Sequence, residues 1–194
     1  MQPAPSAPVA SVAKGTGLLG IVRSIRDRYG EGGVRATFEL LPGDVGEAFR
    51  FGHVVPVGWY PVAWYSALLG AARQGLRENE LLPFRLSHDA VKRDFSGIFQ
   101  VAIRALSPEM VFRHGPRLMP LYWKGGRVDV LDARPGYGRL RFAGWRGFDR
   151  NIWLDIQGGI VAMLEIRGAK NVKPAVVAGG HDGSDDLDLE VRWG

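Results

Sequence analysis

The chain has 194 residues, 46% of them hydrophobic and 23% charged, a balance that suits one folded domain and excludes a disordered or fibrous chain. Having no cysteine, it can form no disulfide framework, thiolate zinc site, iron-sulfur cluster or thiol nucleophile. The net charge of +5 is uneven: residues 182–194 carry Asp182, Asp185, Asp186, Asp188 and Glu190 against Arg192, a net of −4 that leaves +9 on the rest.

Residues 1–13 are small and Pro-rich, too poor in large apolar groups to offset the entropy of ordering, and read as a flexible tail ahead of a single domain over 14–194. They lack the cationic start and apolar run of a secretory signal, and no stretch reaches the ~18 uninterrupted apolar residues of a membrane span. The expected location is the cytoplasm. Leu18, Leu19, Val22 and Ile25 recur at helical spacing, which predicts a helix over 18–29 that stops at Gly30, Gly32 and Gly33. Pro56 and Pro61 exclude a continuous helix around FRFGHVVPVGWYP, and Pro61 is placed to start the next one, to about residue 76. A helix over 87–106 follows, with Ser87 as its cap and Phe95, Ile98, Phe99, Ala102 and Ile103 in one apolar stripe. Ser107-Pro108-Glu109 closes it and opens another.

After Gly126 the period changes from helical to alternating. Strands are expected over 127–131 and 138–143, then a helix over 148–167 that is apolar on most sides, then strands over 172–177 and 187–193. Strand, strand, helix, strand, strand favours a mostly antiparallel sheet with helices on one side, an α+β fold.

Most motifs dissolve on inspection. Gly15-Thr16-Gly17-Leu18-Leu19-Gly20 matches the dinucleotide fingerprint, but no βα alternation follows it to build a parallel sheet. The segment 182–188 has Leu187 and Trp193 where a calcium loop that starts at Asp182 needs Gly and Glu. His53, His88, His114 and His181 fall in four different elements, without the spacing of a metal site. Ser87-His88-Asp89 are chain neighbours and cannot point at one another as a triad requires. No catalytic residue and no metal ligand is therefore assigned; an enzyme built on Asp149, Asp155 or His88 ranks last among the readings. Twenty of the 25 cationic residues are arginines scattered over many elements, so nucleic-acid binding through the basic body is the alternative and a solvated surface the simpler account.

What stands out is aromatic. Trp59, Tyr60, Trp64 and Tyr65 cluster within seven residues, and Phe95, Phe99, Phe112, Tyr122 and Trp123 follow. Such residues pack cores, and they also line apolar pockets and dimer faces. Trp64, Tyr65, Phe95, Phe99, Ile103 and Trp153 are the candidates for a ligand pocket.

Lys14-Gly15-Thr16 with the helix that ends in Tyr29-Gly30 resembles the opening of haem-NO-binding and 4-vinyl-reductase domains. Ala105 to Val111, Pro116-Arg117-Leu118, Leu121 to Gly126, Gly158-Gly159, Glu165 to Lys170 and Leu189 to Trp193 resemble an uncharacterised myxobacterial family of about 200 residues. The resemblance runs over about residues 14–193. It implies a fold shared with those domains and with TRAPP-type subunits: a helical layer on a small antiparallel sheet, often dimeric, with an apolar cavity. The chain departs from the haem branch in lacking its Tyr-x-Ser-x-Arg clamp and a matching histidine, and from the 4-vinyl-reductase branch in lacking cysteines. Only the fold is carried over, with neither haem nor metal as cofactor. The resulting expectation is a non-catalytic cytoplasmic regulatory domain that binds a small apolar ligand or a protein partner as a homodimer.

Overall fold

The structure, a computed structural model, describes residues 10–94 and 106–194. Helix α1, Gly15–Glu39, carries the expected apolar stripe, with Leu18, Ile21 and Ile25 buried. At Gly30 the backbone leaves the helical region (φ 68°), the break that the glycines announced. The helix then resumes rather than ending, because Val34 and Thr37 are also drawn into the core and the Thr37 hydroxyl donates to the Gly33 carbonyl at 2.9 Å.

The expected tail is shorter than the sequence reading has it. Val12–Lys14 forms strand β1, the middle of a three-stranded antiparallel sheet between β2 (Trp59–Pro61) and β3 (Trp123–Lys124), with Ser11 and Ala13 buried. Backbone hydrogen bonds to both sides offset the ordering cost that the side chains there cannot. Helix α2 is Gly43–Arg50, and α3, Val62–Gly75, starts directly after Pro61.

Helix α4, Leu82–Asp94, begins a turn and a half before the expected Ser87 cap. The Asn79 side chain accepts from the Leu81 N–H at 3.0 Å and its carbonyl from the Leu82 N–H at 3.1 Å, while Leu82 and Leu86 are fully buried. Ser87 is thus inside the helix and buried. The rest of the helix expected to residue 106 lies outside the described residues. Ser107 does cap α5, Pro108–His114, accepting from the Met110 N–H. A 3₁₀ turn, Gly115–Leu118, and the short α6, Met119–Tyr122, lead into β3.

The second half follows the expected order. Strands β4 (Arg127–Arg134) and β5 (Tyr137–Ala143), helix α7 (Arg150–Ile166), and strands β6 (Lys173–Gly179) and β7 (Leu187–Arg192) build an antiparallel sheet in the order β4-β5-β7-β6. Leu187, Leu189 and Val191 are buried, while Asp188 and Glu190 between them stay partly exposed; Asp188 holds Arg141 at 2.8 Å. Helix α7 starts at Arg150, two residues after the expected Phe148, because Asp149 caps it by accepting from the Ile152 N–H at 3.0 Å. It packs most extensively on α4. Phe148 meets Trp123, Trp145 and Trp153 with ring centroids 5.1, 5.2 and 4.8 Å away, an aromatic cluster that joins the two sheets to α7.

Candidate functional site

A cavity of about 200 Å³ lies between the first turns of α1, the last turns of α4, α5 with the turn after it, the inner face of β4 and β5, and α7. Two glycines help to open it. Gly20 on α1 and Gly159 on α7 both line it, and a methyl group on either would meet nothing closer than 3.9 Å and 3.4 Å respectively. Its wall is mostly apolar: Ile21, Val91, Val111, Phe112, Met119, Trp123, Val128, Leu140, Phe142, Ile156, Ile160, Met163 and Leu164.

The polar exceptions are concentrated. Asp155 projects from α7 and is 4% exposed; the Tyr65 hydroxyl, from α3, donates to its Oδ1 at 3.1 Å, and the Ser87 hydroxyl, from α4, hydrogen-bonds the same carboxyl group. Burial lifts the Asp155 carboxyl to about 7, against the two hydrogen bonds, which favour its ionised form. Burial and the neighbouring Asp155 push the Tyr65 phenol well above its ordinary value. Asp94 lines the cavity at the end of α4, and Tyr122 faces it with a phenol raised by burial and then by Asp94. Among the described residues that line the cavity, Asp94 and Asp155 are the charged ones.

The expected pocket residues separate. Tyr65 lines the cavity. Trp64 stacks on Tyr60 at 5.3 Å, and Trp153 is fully buried in the aromatic core, its indole N–H donating to the Ser184 carbonyl at 3.2 Å. Phe95, Phe99 and Ile103 lie outside the described residues. Gly20, Ser87, Asp155, Gly159 and Met163 were missed as pocket residues. One signal was available: Asp155 sits among Ile152, Trp153, Ile156 and Ile160 on a helix that is apolar on most sides, a position that a carboxylate rarely holds without a task.

The other reactive candidates have structural partners. Asp149 caps α7 and holds Asn151 and Ser66; His88 meets Glu165 at 2.9 Å beside Lys92. The glycine fingerprint serves close approach: a Cβ on Gly15 would overlap the Val55 carbonyl. Among the described residues no group of three or more His, Asp or Glu could hold a metal ion, and no helix is long and apolar enough to cross a membrane. Ion pairs to carboxylates engage Arg26, Arg28, Arg85, Arg93, Arg139, Arg141 and Arg150, on α1, α4, β5 and α7, a dispersed and solvated pattern.

This arrangement of helices and antiparallel sheet is the fold of the H-NOX domains. The Fe(II) unliganded H-NOX protein from K. algicida superposes with a TM-score of 0.68 at 10% identity, over 93% of this chain and 96% of that one. An oxygen-binding H-NOX domain related to soluble guanylate cyclases gives 0.62 at 13% identity, over 93% and 94%. A T. Tengcongensis H-NOX variant gives 0.61 at 13% identity, over 93% and 97%. No protein-family model matches the sequence, and no curated protein is similar to it.

The fold implies a haem, and the residues here do not fit one. None of the four histidines lines the cavity, and residues 95–105, which follow Asp94 in sequence, contain no His, Cys, Met or Tyr; of the weaker ligand types in the described wall, Met119, Met163, Tyr65 and Tyr122, the Tyr65 hydroxyl is engaged by Asp155. Among the described residues the lining offers no Arg or Lys to hold the propionates of a porphyrin. The volume of about 200 Å³ is below the ~300–1,000 Å³ of pockets for drug-sized ligands, and a porphyrin is larger than those.

Proposed function

We propose that this chain is a non-catalytic regulatory domain that keeps the H-NOX architecture and uses its interior for a small, largely apolar organic ligand. The observation that carries the reading is the cavity itself. A void of about 200 Å³ walled by aliphatic and aromatic side chains has the size that accepts a single ring; an engineered apolar cavity of ~150 Å³ binds benzene. The hydroxyls of Tyr65 and Ser87 and the Asp155 carboxyl would orient the guest. The acid and the phenol are both pushed towards their neutral forms, which leaves neither as an activated nucleophile.

A ligand that binds the folded state alone raises Tm, with the logarithm of its concentration over Kd. Toluene and similar one-ring compounds should therefore raise Tm and change Trp123 emission, and Gly159→Leu, which fills the cavity, should remove both effects while the protein still melts cooperatively. The absence of any Tm or emission change with every such ligand would overturn the reading. Action in the cytoplasm through a homodimer or a protein partner belongs to the same proposal. Val57, Phe51 and Leu121, 77%, 69% and 61% exposed, are the most exposed large apolar side chains among the described residues, and sedimentation of the purified protein tests it.

A further inference from the structure

We infer that the ligand of this cavity is a cation: a small apolar molecule with one protonated amine, which is held at the Asp155 carboxyl. The inference rests on the proposed ligand-binding role and adds the chemical class of the ligand. Three independent features of the cavity carry it.

The first is charge. The chain as a whole is basic, +5, yet the ionisable acids and bases that the structure places around the cavity are Asp94, which pairs with Arg93 at 3.3 Å, and Asp155, which faces no cation among the described lining. The second is the geometry of the acid. Asp155 is 4% exposed and lines the cavity, with two hydroxyl donors fixing it, Tyr65 at Oδ1 and Ser87, and no cationic side chain lines the described wall beside it. A carboxylate in that position is stabilised most by a guest that brings a positive charge and N–H donors. The third is the wall. Tyr65, Phe112, Tyr122, Trp123 and Phe142 offer aromatic surfaces, whose negative faces attract a cation where an anion would be repelled. The raised affinity of Asp155 for its proton is consistent with a site that lacks its counter-charge until the ligand arrives.

The size of the void limits the body of the ligand to about one ring or a short alkyl chain. Binding forms no covalent bond: the ammonium group donates to the ionised Asp155 carboxylate, and where the carboxyl is protonated that proton leaves to solvent.

The test is a matched set of probes titrated into the wild-type protein by calorimetry at pH 7: benzylamine, benzyl alcohol and benzoate, which share ring and length and differ in charge. Benzylamine is expected to bind at least about tenfold tighter than benzyl alcohol, the scale of a charge-assisted hydrogen bond, and benzoate weakest. Asp155→Asn, which keeps the shape of the side chain, is expected to bring benzylamine down to the affinity of benzyl alcohol while benzyl alcohol itself changes little. The wild-type comparison stands even if that variant does not fold. Equal or tighter binding of benzyl alcohol or benzoate would overturn the inference and leave the apolar-cavity reading in place. An amine preference that survives Asp155→Asn would overturn the role of Asp155. Failure of all three probes and of toluene would overturn both readings.

Discussion

Gly158 and Gly159 are neighbours on the buried helix α7, and their replacement by alanine should act in opposite directions. A Cβ on Gly158 would overlap the carbonyl oxygen of Phe84 on α4 and sit 2.9 Å from its carbon and 3.0 Å from the Phe84 Cα. All three are backbone atoms, so no side chain can turn away, and α7 must move off the helix against which it packs most closely. Overpacking of that kind costs about 3 kcal/mol, while the gain in helix propensity from glycine to alanine returns about 1 kcal/mol. The net is a loss of about 2 kcal/mol. At Gly159 the same methyl group would meet only the Ser87 hydroxyl at 3.4 Å and the Val91 side chain at 3.6 Å, ordinary contact at the cavity wall, so the gain of about 1 kcal/mol survives. For a chain of this length each kcal/mol moves Tm by ~2–4 °C. Differential scanning calorimetry should therefore show Gly158→Ala lowered by about 4–8 °C and Gly159→Ala raised by about 2–4 °C. A Gly158→Ala protein that melts with the wild type, or above Gly159→Ala, would refute the close approach of α4 and α7 from which the cavity takes its shape.

Three further outcomes follow. Asp155 binds its proton more tightly when folded, near pH 7, than in the unfolded chain, near pH 4, so the stability it contributes is complete below about pH 4 and is lost as pH rises to about 7. Wild type should lose about 4 kcal/mol relative to Asp155→Asn across that window in urea melts, and parallel curves for the two proteins would contradict it. Asp149→Ala removes the cap of α7 and its bonds to Asn151 and Ser66, and should cost about 1–2 kcal/mol in the same melts, without effect on probe binding. Trp153→Ala should cost about 3–5 kcal/mol as a core deletion; Tyr65→Phe, which leaves the buried Asp155 one donor short, should cost about 1–2 kcal/mol and shift probe affinity as well, so equal stability losses would argue against the division between core and cavity.

The second half of the fold was legible in the sequence because its signals are local. The alternation of Leu187, Leu189 and Val191, the apolarity of 152–164 on most sides and the glycines at 136, 168 and 179 each determine an element within a few residues. The α+β class followed from their order. The errors arose where a distant partner decides. Ser11, Val12 and Ala13 read as tail because strand pairing with residues 60 and 123 has no signature in their own side chains. Ser87 read as a cap because serine before a helix and serine turned into a cavity look alike. The pocket was half legible for the same reason: Tyr65 stood out as an aromatic, whereas Gly20 and Gly159 contribute by what they lack, and Trp153 is as apolar in the core as it would be in a pocket.

Strand β1 pairs with partners from two distant parts of the chain, Trp59–Pro61 on one side and Trp123–Lys124 on the other. During synthesis its three residues precede both partners and must wait: one edge can close once β2 has emerged, the other only after more than a hundred further residues have left the ribosome. Until then the N-terminal half presents an open strand edge to any other extended segment. The helices α1 to α4 could already be in place by that time, but the small sheet that ties α1 to the β3–β4 segment would be among the last parts of the protein to lock.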